Sequence, residues 1–114
     1  MPPKRNPLNL NPLQLRTLAL LQALARLPDH ASPAGEDGAI RVENLPHPHG
    51  DHFHLGEAAV LSRDATGLAN PAAWSALERK GLIRSLFPDA AIVTPSGLAY
   101  DTGLERTILH RADH

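Results

Sequence analysis

The amino-acid sequence predicts one α+β domain with a leucine-rich first helix and two short β-hairpins. Its apolar residues are mainly 19 Leu and 17 Ala, which favour helices packed through small side chains. Val and Ile, which suit a pleated strand, number only seven, so an all-β sandwich or barrel is not expected. A length of 114 residues accommodates a single domain. Three helix starts are marked by a capping residue followed by proline, at Asn11-Pro12, Asn70-Pro71 and Thr94-Pro95.

The first predicted helix spans residues 12–27 and ends before Pro28. Apolar residues cover about half of its surface, because leucines at 4-3 spacing are flanked by further leucines and alanines. So broad a stripe predicts burial on two sides, either as a central core helix or with one side forming a homodimer contact. Residues 1–11 contain three prolines and are expected to form an extended or disordered tail. The domain itself is therefore expected over residues 12–114.

Two hairpins are predicted beyond a surface loop over residues 28–38. In the first, residues 40–42 and 53–55 alternate apolar with polar side chains, and prolines punctuate the turn between them. This pairing places the histidines of residues 47–54 at the tip and along the outer face. In the second, residues 82–87 and 91–93 flank a Pro-Asp turn. Residues 57–65 favour a helix by propensity, with a continuing strand as the alternative.

Two further helices complete the predicted order. One spans residues 72–80 and ends at Gly81, a residue suited to the left-handed position that follows a helix. The other begins at Pro95 and extends through Tyr100. Trp74 and Leu77 are expected to face the core, which is a more common role for a lone Trp than ligand stacking.

The order helix, strand, helix, helix, hairpin, helix is that of a winged-helix domain. Residues 55–101 resemble the second half of bacterial winged-helix regulators of the MarR or PadR type. In that pattern Lys80-Gly81-Leu82-Ile83 ends a recognition helix, a wing follows, and Thr94-Pro95 opens the next helix. The resemblance implies a regulator that binds double-stranded DNA as a dimer, with residues 72–80 as its recognition helix.

The side chains expected to reach DNA lie on and around that helix. Its outward positions are predicted to be Ala72, Ser75, Ala76, Glu78 and Arg79. Only Ser75 and Arg79 among them are suited to base edges or phosphates. The candidate DNA-binding residues, with three neighbouring cations added, are Arg63, Ser75, Arg79, Lys80 and Arg84. The alternative is a scaffold used for packing or protein contact, with these arginines as solvated surface residues.

A histidine cluster is the most distinctive chemical feature of the sequence. Imidazole is a common metal ligand, and two histidines at i and i+2 on a strand share a face and can chelate one ion. Zinc, nickel or iron(II) would suit such ligands. The other interpretations are a polar hairpin surface and a patch that gains positive charge below about pH 6.5. The candidate metal ligands are His47, His49, Asp51, His52 and His54.

The same segment is similar to the H-x-H-x-D-H motif of the metallo-β-lactamase superfamily. In that resemblance the metal ligands of a hydrolytic site would be His47, His49, Asp51 and His52. The superfamily has an αββα sandwich much longer than this chain and further ligands downstream, so we treat the match as coincidental. No nucleophile elbow or glycine-rich phosphate loop is present in the sequence. We therefore expect a protein that is not an enzyme.

Composition excludes several other classes of protein. The absence of Cys excludes disulfides and thiolate metal sites. A net charge of -1 provides no global attraction to nucleic acid, so any DNA binding must be local. Polar residues interrupt the longest apolar stretch, so no membrane association is expected.

The start of the chain lacks the apolar stretch of a secretion signal, and a cytoplasmic location is expected. Together these features predict a small winged-helix regulator that binds DNA and responds to a divalent metal through its histidines. The alternative is a metal-binding or protein-interaction module on the same scaffold without DNA contacts.

Overall fold

The structure is a computed structural model that describes residues 6–35, 37–46, 51–55, 58–104 and 110–111. It is an α+β fold, as predicted, with helices packed beside antiparallel sheets. The helices are α1 (Pro12–Leu24), α2 (Pro71–Arg79) and α3 (Pro95–Ala99). The strands are β1 (Ala31–Pro33), β2 (Ile40–Glu43), β3 (His52–Leu55), β4 (Ala58–Leu61), β5 (Ile83–Leu86), β6 (Ala90–Val93) and β7 (His110–Arg111). Two 3-10 turns, Ser62–Asp64 and Thr66–Ala69, connect β4 to α2.

The strands form two separate antiparallel sheets. The larger sheet has the order β1-β2-β6-β5, and the smaller has the order β3-β4-β7. In the larger sheet Ile40 of β2 lies opposite Val93 of β6, and Val93 lies opposite Ile83 of β5. These three residues lie in one cross-strand row, and Ile83 and Val93 are fully buried against the helices. The predicted hairpin over residues 82–93 is confirmed by the pairing of β5 with β6.

The three predicted helix starts are confirmed. The Asn11 side chain accepts a hydrogen bond from the Gln14 backbone N at 2.8 Å, and the Gln14 side chain accepts one from the Asn11 N at 3.0 Å. This reciprocal capping box satisfies two backbone donors at the start of α1. Asn70 caps α2 and Thr94 caps α3, each with proline as the first helical residue. Gly81 follows α2 with φ +77°, the expected left-handed conformation.

The core is built around α1, which is buried over the six consecutive residues 17–22. Consecutive residues point to all sides of a helix, so the chain itself covers both sides of the apolar stripe. Trp74 is fully buried, as predicted, and packs edge-on against Phe87 with ring centroids 5.0 Å apart. The α1 helix ends at Leu24, three residues earlier than expected. The homodimer contact stays a prediction.

Part of the segment predicted as a tail contacts the domain. Leu10 is buried in the core. The Tyr100 hydroxyl donates to the Asn6 side chain and accepts from the Leu8 backbone N. Residues 6–10 are thus held beside the end of α3, and residues 1–5 lie outside the described residues.

The predicted pairing of residues 40–42 with residues 53–55 is wrong. Instead, β2 pairs with β1 and β6, whereas β3 pairs with β4. The predicted surface loop contains β1 and the turn of the β1–β2 hairpin, which is closed by the hydrogen bond from Ala34 N to Ala39 O at 2.9 Å. Pro33 is tolerated in β1 because this strand lies at the edge of the sheet.

The helix favoured for residues 57–65 is also wrong, and the alternative of a strand holds for β4. Val60 is fully buried and lies opposite Phe53 of β3. Pairing with β3 and β7 therefore overrides the helical propensity of the local sequence. On α2, Ala76 was expected to face outward but is buried, with 4% of its surface exposed.

Candidate metal and nucleic-acid sites

The two histidines of β3 lie side by side. His52 and His54 alternate with the other strand residues, so their side chains share one face. Their Nε2 atoms are 3.2 Å apart. The ring centroids are 4.8 Å apart, and the ring planes meet at 84°. His54 is exposed and His52 is half-buried. The spacing of two residues therefore produces the shared face that the sequence predicts.

Asp51 contacts the opposite side of the His52 ring. Its carboxylate Oδ1 lies 3.3 Å from His52 Nδ1. The carboxylate is thus placed to orient the imidazole, whereas the sequence predicted it as a direct ligand. A carboxylate that accepts from Nδ1–H fixes the tautomer in which Nε2 carries the lone pair.

The other two predicted ligands, His47 and His49, lie outside the described residues. Among the residues that the structure does describe, no group of three or more His, Asp or Glu is arranged to hold a metal ion. Of the five predicted ligands, the structure therefore describes His52, His54 and Asp51.

An open pocket of about 350 Å³ is lined by Asp51, Leu61, Ser62 and Arg63. The Ser62 backbone N donates to the Asp51 carbonyl at 2.7 Å, which joins the pocket to the start of β3. The Ser62 Oγ is buried and has no hydrogen-bond partner among the described residues. Ser62 could not be identified from the sequence, because only the pairing of β3 with β4 brings it beside Asp51.

The exposed face of α2 carries Ser75, Glu78 and Arg79, with Lys80 directly after the helix. The Glu78 Oε2 accepts a hydrogen bond from the Ser85 backbone N at 3.0 Å, which links α2 to β5. Neither Arg79 nor Lys80 takes part in an ion pair within the described part of the chain. Two cations are therefore available at the carboxyl end of this helix, with one hydroxyl at its middle.

The other two predicted DNA contacts lie elsewhere. Arg84 shares a cross-strand row with Ile92 and Arg41, on the sheet face opposite the buried row of Ile83. Because α2 packs on the buried side, Arg84 points away from it. Arg63 belongs to the first 3-10 turn and lines the open pocket. The structure thus brings Ser75, Arg79 and Lys80 together but not Arg63 or Arg84.

Comparison with known proteins gives no relative for this chain. No family model, curated protein or solved structure matches it. Within the described residues, none of the helices has the length and apolar character needed to cross a bilayer.

Proposed function

We propose that the chain is a winged-helix-like DNA-binding regulator, with α2 as its recognition helix and the β5–β6 hairpin as its wing. The observation that supports this proposal is the order of strands around α2. The strand β2 precedes α2 in sequence and pairs with the hairpin that follows α2, within the sheet order β1-β2-β6-β5. The second helix of the predicted winged-helix order is replaced by the β3–β4 hairpin and two 3-10 turns. A winged-helix domain combines its first strand with its wing in the same way. The sheet then fixes the direction of the helix relative to the wing.

The chemistry of the exposed α2 face is compatible with a nucleic-acid contact. Arg79 can donate to phosphate or, in a bidentate manner, to guanine, and Ser75 can donate to either. Lys80 adds a second cation at the same end. These three residues replace the wider predicted set, because Arg84 lies on the opposite sheet face and Arg63 lines the pocket.

Glu78 weakens this surface as an anion-binding site, since it lies between Ser75 and Arg79 in sequence and is exposed. The Glu78 carboxylate accepts a hydrogen bond from β5 and so links α2 to the sheet. We therefore expect moderate affinity for DNA. The alternative function is a protein-interaction module on the same scaffold, and the acidic residue on this face is what favours it.

The test is fluorescence anisotropy with labelled fragments of genomic DNA, at low salt and micromolar protein. Arg79→Ala is expected to weaken binding by about 1–3 kcal/mol, or roughly 5- to 150-fold. Arg26→Ala, which removes the same charge outside the helix–hairpin unit, serves as the matched control. No binding by the wild-type chain, or equal losses for the two variants, would favour the protein-interaction module.

Dimerisation belongs to the same proposal. A dimer would present two α2 helices to half-sites one helical turn of DNA apart, about 34–36 Å between centres. Light scattering of the free chain, and of the chain bound to a selected duplex, measures the number of copies. Two copies per duplex would support the regulator, and a single copy at saturation would contradict the dimeric form.

A further inference from the structure

We propose that His52 and His54 chelate one divalent transition-metal ion through their two Nε2 atoms, with Asp51 as a positioning residue. The site lies on β3, outside the α2 face, and does not depend on whether the chain binds DNA.

The distance between the two Nε2 atoms carries this inference. Zinc–imidazole bonds of 2.0–2.1 Å meeting at a tetrahedral angle separate two ligand nitrogens by about 3.3 Å. The observed separation is 3.2 Å. The two nitrogens are thus already at the spacing of neighbouring ligands in a tetrahedral site, and binding requires that the proton leave His54 Nε2 and that the rings turn to aim both lone pairs at one point.

The strand holds this spacing in place. His54 lies opposite Ala59 of β4 and His52 lies opposite Leu61, so backbone pairing fixes both Cα positions. Ligands that are positioned before binding lose less conformational entropy when they bind. Two histidines on an unpaired segment would lose more conformational entropy on binding a metal ion than this pair does.

Asp51 is placed to support His52 as a metal ligand. Its carboxylate at Nδ1 of His52 is the partner that metal-bound histidines usually have on the ring nitrogen away from the metal. With a proton on Nδ1, His52 presents its Nε2 as an acceptor, and the hydrogen bond between the two rings is then donated by His54 Nε2–H. To bind the ion, the neutral His54 ring would change tautomer: its single proton would leave Nε2, and the ring would carry one proton on Nδ1 instead.

The exposure of the two histidines indicates which other ligands and which ions the site would accept. His54 is exposed, and 37% of the His52 side-chain surface is accessible. Water can therefore occupy the remaining coordination positions. Two neutral imidazoles and water suit ions of intermediate softness such as zinc and nickel. We expect one ion per chain with micromolar affinity.

The first test is isothermal titration of the tag-free full chain with zinc chloride and, separately, nickel chloride. One equivalent is expected to bind. His52→Gln and His54→Gln should each lower the association constant at least tenfold, because one of two ligands is lost. His30→Gln is the matched control, since the His30 ring contacts the backbone carbonyls of Glu43 and Asn44 instead. Wild-type affinity in His54→Gln would overturn the proposal.

A second variant tests whether the pair is sufficient. Replacing His47 and His49 together by Gln should retain one equivalent of bound ion, with its dependence on His54 unchanged. Loss of binding in this variant would show that the two β3 histidines do not form the site. Far-UV circular dichroism of each variant checks that the chain remains folded.

Metal affinity and nitrogen-15 NMR of an Asp51 variant test the role of Asp51 separately. Asp51→Asn is expected to lower metal affinity by about 10- to 100-fold, the usual effect of removing a partner of a metal-bound histidine. Nitrogen-15 NMR of the imidazole rings should show metal at Nε2 of both histidines in the wild type. It should also show a mixture of His52 tautomers in metal-free Asp51→Asn. Unchanged affinity and tautomer in this variant would remove Asp51 from the site, and metal at Nδ1 would overturn the proposed geometry.

Discussion

Thr94 shows how one side chain can connect three backbone segments. Its Oγ1 accepts from Gly97 N at 3.0 Å and donates to Gly81 O at 2.7 Å. The first bond follows from the sequence, because threonine before proline is a typical helix start. The second is not a local capping bond, because it requires the β5–β6 hairpin to bring residues 81 and 94 together. Local capping rules thus identify the residue but only half of its role.

Thr94→Ala is expected to lower the free energy of unfolding by about 1–2 kcal/mol, because the α3 cap and the bond to Gly81 are both lost. Thr94→Ser retains the hydroxyl and should lose less than half of that amount. Urea denaturation followed by circular dichroism measures both values. Equal losses in the two variants would show that the methyl group, and not the hydroxyl, is what stabilises the fold.

Gly81 and Gly97 are needed for different structural reasons. A Cβ at Gly97 would lie 2.0 Å from the Leu82 carbonyl oxygen and 2.9 Å from Val93 Cγ1. A Cβ at Gly81 would meet nothing within 4 Å, although its φ of +77° is unfavourable for other residues.

Gly81→Ala should therefore destabilise the protein by about 1–2 kcal/mol through backbone strain. Gly97→Ala should cost more than that, because the backbone must move to relieve the contact. The two midpoints of thermal unfolding make the comparison. A Gly97→Ala midpoint at or above that of Gly81→Ala would contradict the close approach of α3 to Leu82.

The pairing of strands that are close in sequence could be predicted, whereas the pairing of strands that are far apart in sequence could not. The β5–β6 hairpin follows from a Pro-Asp turn between two apolar runs. The histidine strand was also found, and with it the shared face of His52 and His54. Its partner was misassigned because residues 40–43 and 52–55 alternate equally well, and alternation does not identify which strands pair. The candidate site was thus predicted from the turn and the histidine strand, without its neighbours Leu61 and Ser62.

The contact between α2 and β5 leads to a prediction for DNA binding. Glu78→Gln removes a negative charge beside Arg79, while its amide oxygen can still accept from Ser85 N. DNA affinity should rise by about two- to fivefold, in line with the energy of an exposed charge pair. Asp29→Asn, an exposed site beyond α1, is the control for the change in net charge. If both variants bind like the wild type, α2 is not the DNA-contacting helix.

At the scale of the molecule, a net charge of -1 limits how DNA can be bound. The described cations near α2 are few, so a small number of phosphate contacts is expected for each chain. With about two or three contacts, the logarithm of the association constant should fall with a slope of about -2 to -3 against the logarithm of salt concentration. Anisotropy titrations between low and physiological salt provide the slope. A slope of zero would exclude phosphate contacts as the source of affinity.

The pairing of β2 with β6 also determines the order in which the chain can acquire structure. Ile40 and Val93 lie opposite each other although about fifty residues separate them in the sequence. Such a contact closes a long loop, whereas the β3–β4 and β5–β6 hairpins need only a few residues to turn. We therefore expect the two hairpins to form early and the joining of β2 to β6 to be the slow step. Because such non-local pairing slows folding, we expect refolding in the millisecond range or slower. Until that step is complete, β6 presents an unpaired edge to other chains, so refolding yield should fall as protein concentration rises.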